Sequence, residues 1–179
     1  MKKVFMLAMV AFMTLAMSQT AQAIENPNPK GTKVLGIHAG YYPGYGANAT
    51  FDYTLVDSWW KGHFTVGGYL GWNTRAWHYT YYHERWTNFA VMPRATYGLN
   101  ITKEFEVHAG LMLGMAYHRW TYNYEDGYAY DYDPGTSYHF CHGEILGCRY
   151  YFTPKFGVEA ELNYTGYMSY FNVGVTFKL

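Results

Sequence analysis

The stretch Phe171-Asn172-Val173-Gly174-Val175-Thr176-Phe177-Lys178-Leu179 decides how the whole chain is read. Phe171, Val173, Val175, Phe177 and Leu179 fall on one side of a period of two; Asn172, Gly174, Thr176 and Lys178 fall on the other. Side chains of a β-strand alternate between faces, so this strand is apolar on one face and polar on the other. The same pattern runs upstream. Val158, Ala160, Leu162 and Tyr164 oppose Gly157, Glu159, Glu161 and Asn163. Further back, Phe105, Val107, Ala109, Leu111, Leu113, Met115 and Tyr117 oppose Glu106, His108, Gly110, Met112, Gly114 and Ala116.

Eight such segments can be drawn, at 33–41, 50–57, 63–78, 85–99, 104–120, 138–152, 156–164 and 170–179. Ser58–Gly62, Asn100–Lys103 and Thr153–Lys155 read as tight turns, whereas the connectors at 42–49, 79–84, 121–137 and 165–169 read as longer loops. Tight turns on one side and longer loops on the other are expected of a barrel threaded through a membrane. The aromatic residues support this. Trp59, Trp60, Phe64, Tyr97, Phe105, Phe152 and Phe156 lie near the tight turns; Trp72, Trp77, Trp86, Tyr117, Trp120, Tyr164 and Phe171 lie towards the other end. Two rings of amphipathic side chains flanking an apolar band suit a lipid-facing wall. The expected fold is therefore all-β: an eight-stranded antiparallel transmembrane barrel over residues 33–179. Period two alone leaves one alternative open, a soluble barrel with the apolar face inward.

Composition agrees with one exported domain. Aromatic residues make up 21% of the chain and charged residues only 15%, yet mean hydropathy is slightly negative, so apolar residues are interleaved with polar ones. Lys+Arg and Asp+Glu number 13 each, which gives no electrostatic reason to expect nucleic acid. Lys2 and Lys3, the apolar run Val4 to Met17 and Ala21-Gln22-Ala23 read as a signal peptide over residues 1–23. The mature chain then starts at Ile24 with a periplasmic tail over 24–32. Cys141 and Cys148 share one expected strand, roughly 23 Å apart at about 3.3 Å per residue, and their odd spacing puts them on opposite faces. Disulfide geometry does not reach that far.

The residues Asn172-Val173-Gly174-Val175-Thr176-Phe177-Lys178-Leu179 resemble the C-terminal assembly signal of bacterial outer-membrane barrels. Asn172, Gly174, Phe177 and Leu179 occupy its polar, glycine and two aromatic positions, with leucine replacing the last aromatic. The resemblance implies that this strand is presented to the barrel assembly machinery. The body resembles small eight-stranded proteins of the OmpX/OmpW type. Gly147-Cys148-Arg149-Tyr150-Tyr151-Phe152-Thr153-Pro154-Lys155-Phe156-Gly157-Val158 is similar to their strand-turn-strand unit, and Tyr97-Gly98-Leu99-Asn100 to the approach to a tight turn. What it implies is a Gram-negative outer-membrane location, contact with lipid and lipopolysaccharide, and no cofactor. It implies no reaction.

Several constellations are candidates for chemistry. Asp52, Arg94, Glu106, Arg149, Glu159 and Glu161, with His38 and His108, fall on the polar face and are expected to meet in the lumen. The lumen of eight strands is just wide enough for side chains to fill it. His78, His83, His118, His139 and His142 fall near the external mouth with Asp131 and Asp133, and His78, His118, His139 and His142 are weak metal candidates. Ser137 and His139 lie two residues apart on one strand face with Asp133 nearby, the barest outline of a lipid-modifying hydrolase. Inward glycines at Gly67, Gly71, Gly110, Gly114 and Gly174 suggest a narrow passage for small apolar molecules. The loop tyrosines, Tyr79, Tyr81, Tyr82, Tyr122, Tyr124, Tyr128, Tyr130 and Tyr132, are suited to recognising an extracellular protein or glycan. The leading expectation is a structural or surface-interaction envelope protein without catalysis.

Overall fold

The computed structural model describes residues 27–60, 62–78, 82–124 and 135–179; the side chains of 82 and 122–124 are not part of that description. The expected signal peptide and mature start, Tyr79, Tyr81, Tyr128, Tyr130 and Tyr132, and the acidic residues Glu125, Asp126, Asp131 and Asp133 lie outside the described residues. Eight strands form one closed antiparallel ring in sequence order: β1 (Lys33–Tyr41), β2 (Tyr45–Trp59), β3 (Gly62–His78), β4 (Tyr82–Asn100), β5 (Phe105–Tyr124), β6 (Thr136–Tyr151), β7 (Phe156–Tyr164) and β8 (Phe171–Lys178). β8 pairs with β1 from Val34↔Lys178 to Tyr41↔Phe171, which removes both sheet edges at the level of these strands.

The apolar face points outward. Ile37, Leu70, Val91 and Leu111 are each more than half exposed, while His38, Asp52, Arg94 and Glu106 are buried. In water such a wall would be intolerable. In a bilayer it is the required surface, and every strand's backbone is satisfied by its neighbours. The soluble, apolar-inside alternative is thereby overturned. From Phe64 in the lower aromatic ring to Trp72 in the upper, the strand climbs roughly 20 Å at about 3.3 Å per residue and a tilt of about 40°, close to the height of an outer-membrane apolar band.

The strand ends differ from the sequence expectation in an instructive way. β2 begins at Tyr45, so the connector after β1 is only Tyr42 to Gly44 and not a long loop over 42–49. Residues Tyr45 to Ala49 pair in register with β1, but their lipid face uses Ala47 and Ala49 and gives little hydrophobic signal. β5 runs on to Tyr124 and β6 starts at Thr136, narrowing the connector expected over 121–137. Above the membrane both faces of these strands are wet, so the period of two fades although the ladder continues.

Strand length divides the ring in two. β2 to β6 have 15 to 20 residues, whereas β1, β7 and β8 have 9, 9 and 8. β6 loses its β7 partner above Glu144↔Tyr164, and β3 loses its β2 partner above Tyr45↔Thr74. A four-stranded sheet, β3 to β6, therefore rises past the rest of the barrel, and among the described residues nothing pairs with its edge on either side.

Cys141 and Cys148 sit on opposite faces of β6, Cys141 buried in the lumen and Cys148 on the outer wall beside Val107 and Ala160. A membrane-soluble maleimide should modify Cys148 in the folded barrel and reach Cys141 only after denaturation. Mass spectrometry of the labelled peptides checks this, and early labelling of both would contradict the assigned faces.

Candidate functional site

The lumen has two tiers. In the lower one, Arg149 is the hub: its Nε donates to Glu159 at 2.8 Å, and its terminal nitrogens lie 2.5 Å from Asp52 and 3.4 Å from Glu106. Arg94 binds Asp52 through Nε at 3.0 Å and Glu161 through its terminal nitrogens at 2.6 and 3.3 Å. His108 Nε2 lies 3.0 Å from Glu161 and 3.4 Å from Glu159. His38 joins Glu159 at 3.1 Å. All of these side chains are essentially sealed from solvent. Burying four carboxylates against two guanidiniums is tolerable only because each charge has several partners.

Glycine makes those partnerships possible. Asp52 on β2 and Arg94 on β4 are separated by β3, and the β3 residue opposite both is Gly67. His108 on β5 meets Glu161 on β7 across Gly147 of β6, and Glu159 on β7 meets His38 on β1 across Gly174 of β8. In each case a missing side chain leaves a corridor through which the neighbours on either side touch. A Cβ at Gly67 or Gly174 would also strike the backbone carbonyl of Phe51 or Ile37 on the adjoining strand. A Cβ at Gly110 or Gly114 would likewise clash with the carbonyl of Ala95 or Val91, and the space beside Gly71 is taken by the Tyr69 ring. The inward glycines thus give their space to other residues and do not leave the apolar passage expected from them.

Three participants were not singled out in the sequence. His63 Nε2 lies 3.6 Å from Glu106. Asn28, in the supposedly plain tail, is buried and donates to Glu106 at 2.5 Å. Lys178 Nζ donates to the Pro27 carbonyl at 3.1 Å and sits 3.8 Å above the Tyr151 ring. His63 lay in the alternation of β3 and was readable. Asn28 belongs to no strand, so no periodicity marked it. Residues 27–32 thus tuck under the mouth at the tight-turn end, held also by Gly31 N–H to the Thr54 carbonyl and Lys30 N–H to Asp57.

The upper tier is apolar: Tyr69, Ala90, Met92, Met112, Ala116, Cys141, Ile145 and Met168 form one buried cluster. Met168 comes from the β7–β8 connector, which folds into the mouth. Asn73 donates to Ser169 Oγ at 2.8 Å, Asn88 donates to the Tyr167 carbonyl at 2.8 Å, and His139 stacks on the Tyr167 ring. Burial also pushes the Tyr170 phenol up. Asn172, a position of the assembly signal, is fully buried here. It accepts from Asn48 at 2.8 Å and donates to the Ser169 carbonyl at 3.0 Å. Gly174 is the corridor between Glu159 and His38, while Phe177 packs on Phe156 outside and Leu179 is exposed.

The rim histidines do not converge. His78 meets His83 edge to face, His118 and His139 face inward around Tyr167, and His142 points outward from β6. His78, His118, His139 and His142, weak metal candidates in the sequence, therefore do not form one ligand cluster among the described residues. Strands separate residues that share a level, and alternation sends His142 away from His139. The donor atoms of His108, Glu159 and Glu161 do lie within 4.8 Å of one another, but both carboxylates are already engaged by arginines. Ser137 Oγ lies 2.8 Å from His139 Nε2, facing the vestibule. Among the described residues no carboxylate forms an ion pair with His139; Asp133 lies outside them.

No protein-family model and no curated protein matches the sequence. Solved structures do. Neisserial surface protein A superposes with a TM-score of 0.53 at 10% identity, covering 83% of this chain and 95% of that one. Ail, the attachment invasion locus protein of Yersinia pestis, gives 0.51 at 12%, covering 83% and 95%. The N-terminal β-barrel domain of OprF from Pseudomonas aeruginosa gives 0.50 at 19%, covering 84% and 98%. The closed ring and lipid-facing wall define a transmembrane β-barrel with a filled lumen. Its fold is that of the small eight-stranded outer-membrane barrels.

Replacing Arg149 by Met should destabilise the barrel by about 3–5 kcal/mol, because three carboxylates lose their shared cation. Gly67→Val should cost at least about 2 kcal/mol through overpacking against β2. Urea unfolding in lipid vesicles, followed by tryptophan fluorescence, measures both, and an unshifted midpoint would contradict the corridor arrangement.

Proposed function

We propose that this chain is an outer-membrane surface protein that works through contacts of its exposed sheet, without catalysis or conduction. The observation that carries this reading is the height of β3 to β6 above the remaining strands. Above Glu144, β6 has no strand neighbour on its β7 side among the described residues, and Tyr138 and Phe140 there are 71% and 72% exposed. An open edge of unpaired N–H and C=O groups is a template for an added strand, and flanking aromatics supply affinity. A lumen packed with ion pairs below and methionines above favours a scaffold over a pore. The names of two neighbours in fold, an attachment invasion locus protein and a surface protein, fit this reading, although at 10–12% identity they bring only the architecture.

On the same reading, residues 1–23 direct export, the outer wall contacts lipid and lipopolysaccharide, and Asn172, Gly174, Phe177 and Leu179 serve delivery to the assembly machinery. The loops and upper strands are the surface for an extracellular protein or glycan. The Ser137–His139 contact is the one observation that favours the hydrolase alternative. It opens into the vestibule and away from lipid, which weighs against action on membrane acyl chains.

Displayed on a non-adherent Gram-negative host, the protein should raise adherence to epithelial cells several-fold. The pair Tyr138→Lys with Phe140→Lys should abolish the gain while the unboiled protein keeps its mobility shift on gels. In planar bilayers the purified barrel should give no reproducible conductance steps. Regular steps, or adherence untouched by the double substitution, would overturn the proposal.

A further inference from the structure

The chain has nine methionines, five of them within residues 1–23. Of the four that follow, Met115 faces lipid, while Met92, Met112 and Met168 are buried in the upper tier of the lumen beside Cys141. On the lipid face of the same strands, Val91, Leu111 and Leu113 are plain hydrocarbon. Sulfur is thus gathered inside the barrel.

Two glycines bring the sulfurs together. Cys141 on β6 is paired with Gly114 on β5, and a Cβ at Gly114 would lie 2.8 Å from Met92 Cγ. Met92 on β4 therefore reaches across β5, and the Cys141 S–H donates to its Sδ with 3.6 Å between the sulfurs. Two sulfurs on one tetrahedral ion, at a metal–sulfur length of about 2.3 Å, stand roughly 3.8 Å apart. The pair is already at ligand spacing. One layer below, Met112 is paired with Gly143. A Cβ there would lie 2.8 and 2.9 Å from Met112 Cε and Cγ, the two carbons that flank its sulfur. Met112 thus lies over β6 two residues from Cys141. Met168 joins the cluster from the β7–β8 connector, where its N–H donates to Thr165 Oγ1 at 2.9 Å.

We propose that Cys141, Met92, Met112 and Met168 form a site for one soft monovalent metal ion of the copper(I) class. Thiolate and thioether sulfur are soft donors, the kind that copper(I) takes. Charge balance points the same way. A monovalent cation with one thiolate is neutral in a pocket otherwise walled by Tyr69, Ala90, Ala116 and Ile145, whereas a divalent ion leaves a buried net charge. On binding, the Cys141 S–H proton leaves to water, the copper–sulfur bond forms and no electron is transferred. His139 stands two residues above Cys141 on the same inward face and stacks on Tyr167, the neighbour of Met168. An ion entering from that mouth therefore meets an imidazole first. Packing alone needs no sulfur, since leucine and methionine exchange at small cost. The inference does not depend on the adhesive role of the sheet.

The test incubates the barrel, purified from outer membranes, with copper(I) buffered by bicinchoninate under ascorbate, and counts the metal kept per chain. One copper per chain is expected, with X-ray absorption showing sulfur neighbours at about 2.3 Å. Cys141→Ser should weaken retention about a hundredfold or more, beyond the cost of losing an outer-shell partner. Met92→Leu, which keeps the packing volume, should weaken it about tenfold while leaving the urea midpoint nearly unchanged. This second variant serves if the serine variant does not fold, and each is first checked for the heat-dependent mobility shift. Cys148→Ser, on the outer wall, should retain copper as the unaltered barrel does. Absence of copper uptake, equal retention by either folded lumen variant, or loss with Cys148→Ser overturns the proposal. Zinc(II) held as tightly as copper(I) would also overturn it.

Discussion

A peptide group in hydrocarbon has no water to bond to, and the meeting of β8 with β1 is what lets this chain satisfy that demand. With β1 and β8 paired over eight residue pairs, the ring leaves no edge in the lipid-facing band. Everything else follows from closure. The outward faces must be apolar, so the inward faces can be polar, and eight strands leave a bore only one or two side chains wide. Charges placed there are removed from water and must find one another.

How they do so was only half legible. The alternation around Phe171 to Leu179 and Phe105 to Tyr117 revealed strands, faces and the identity of the inward charges. It also separated Cys141 from Cys148 correctly. It did not reveal which charges touch, because pairing depends on register around a closed ring. The inward glycines are visible in the sequence, where they suggest only an alternative to a filled lumen, a narrow passage. Once register is known, Gly67, Gly147 and Gly174 sit between charges two strands apart. Asn28 and the capping connector with Met168 had no periodic mark at all, since each follows the shape of a mouth and not the pitch of a strand. Tyr45 to Ala49 were missed because alanine on the lipid face is nearly silent.

Both ends of the bore are occupied, Asn28 and its neighbours below and Tyr167, Met168 and Ser169 above. The unequal strand lengths shape what lies outside the bore: the short β1, β7 and β8 expose flanks of the taller sheet, with Tyr138 and Phe140 beside one of them. A uniform ring of eight equal strands would offer no such flank.

The distribution of the buried charges over hairpins constrains how the protein reaches its membrane. The β7–β8 hairpin contributes Glu159 and Glu161 to the lumen, and its nearest cations, Arg149 and Arg94, belong to β6 and β4. The β1–β2 hairpin brings Asp52, whose partners are those same two arginines. Neither hairpin can be dehydrated alone without stranding carboxylates. Insertion strand by strand into lipid is thus disfavoured, and the route left open is one in which the interior keeps its water until the last seam is joined.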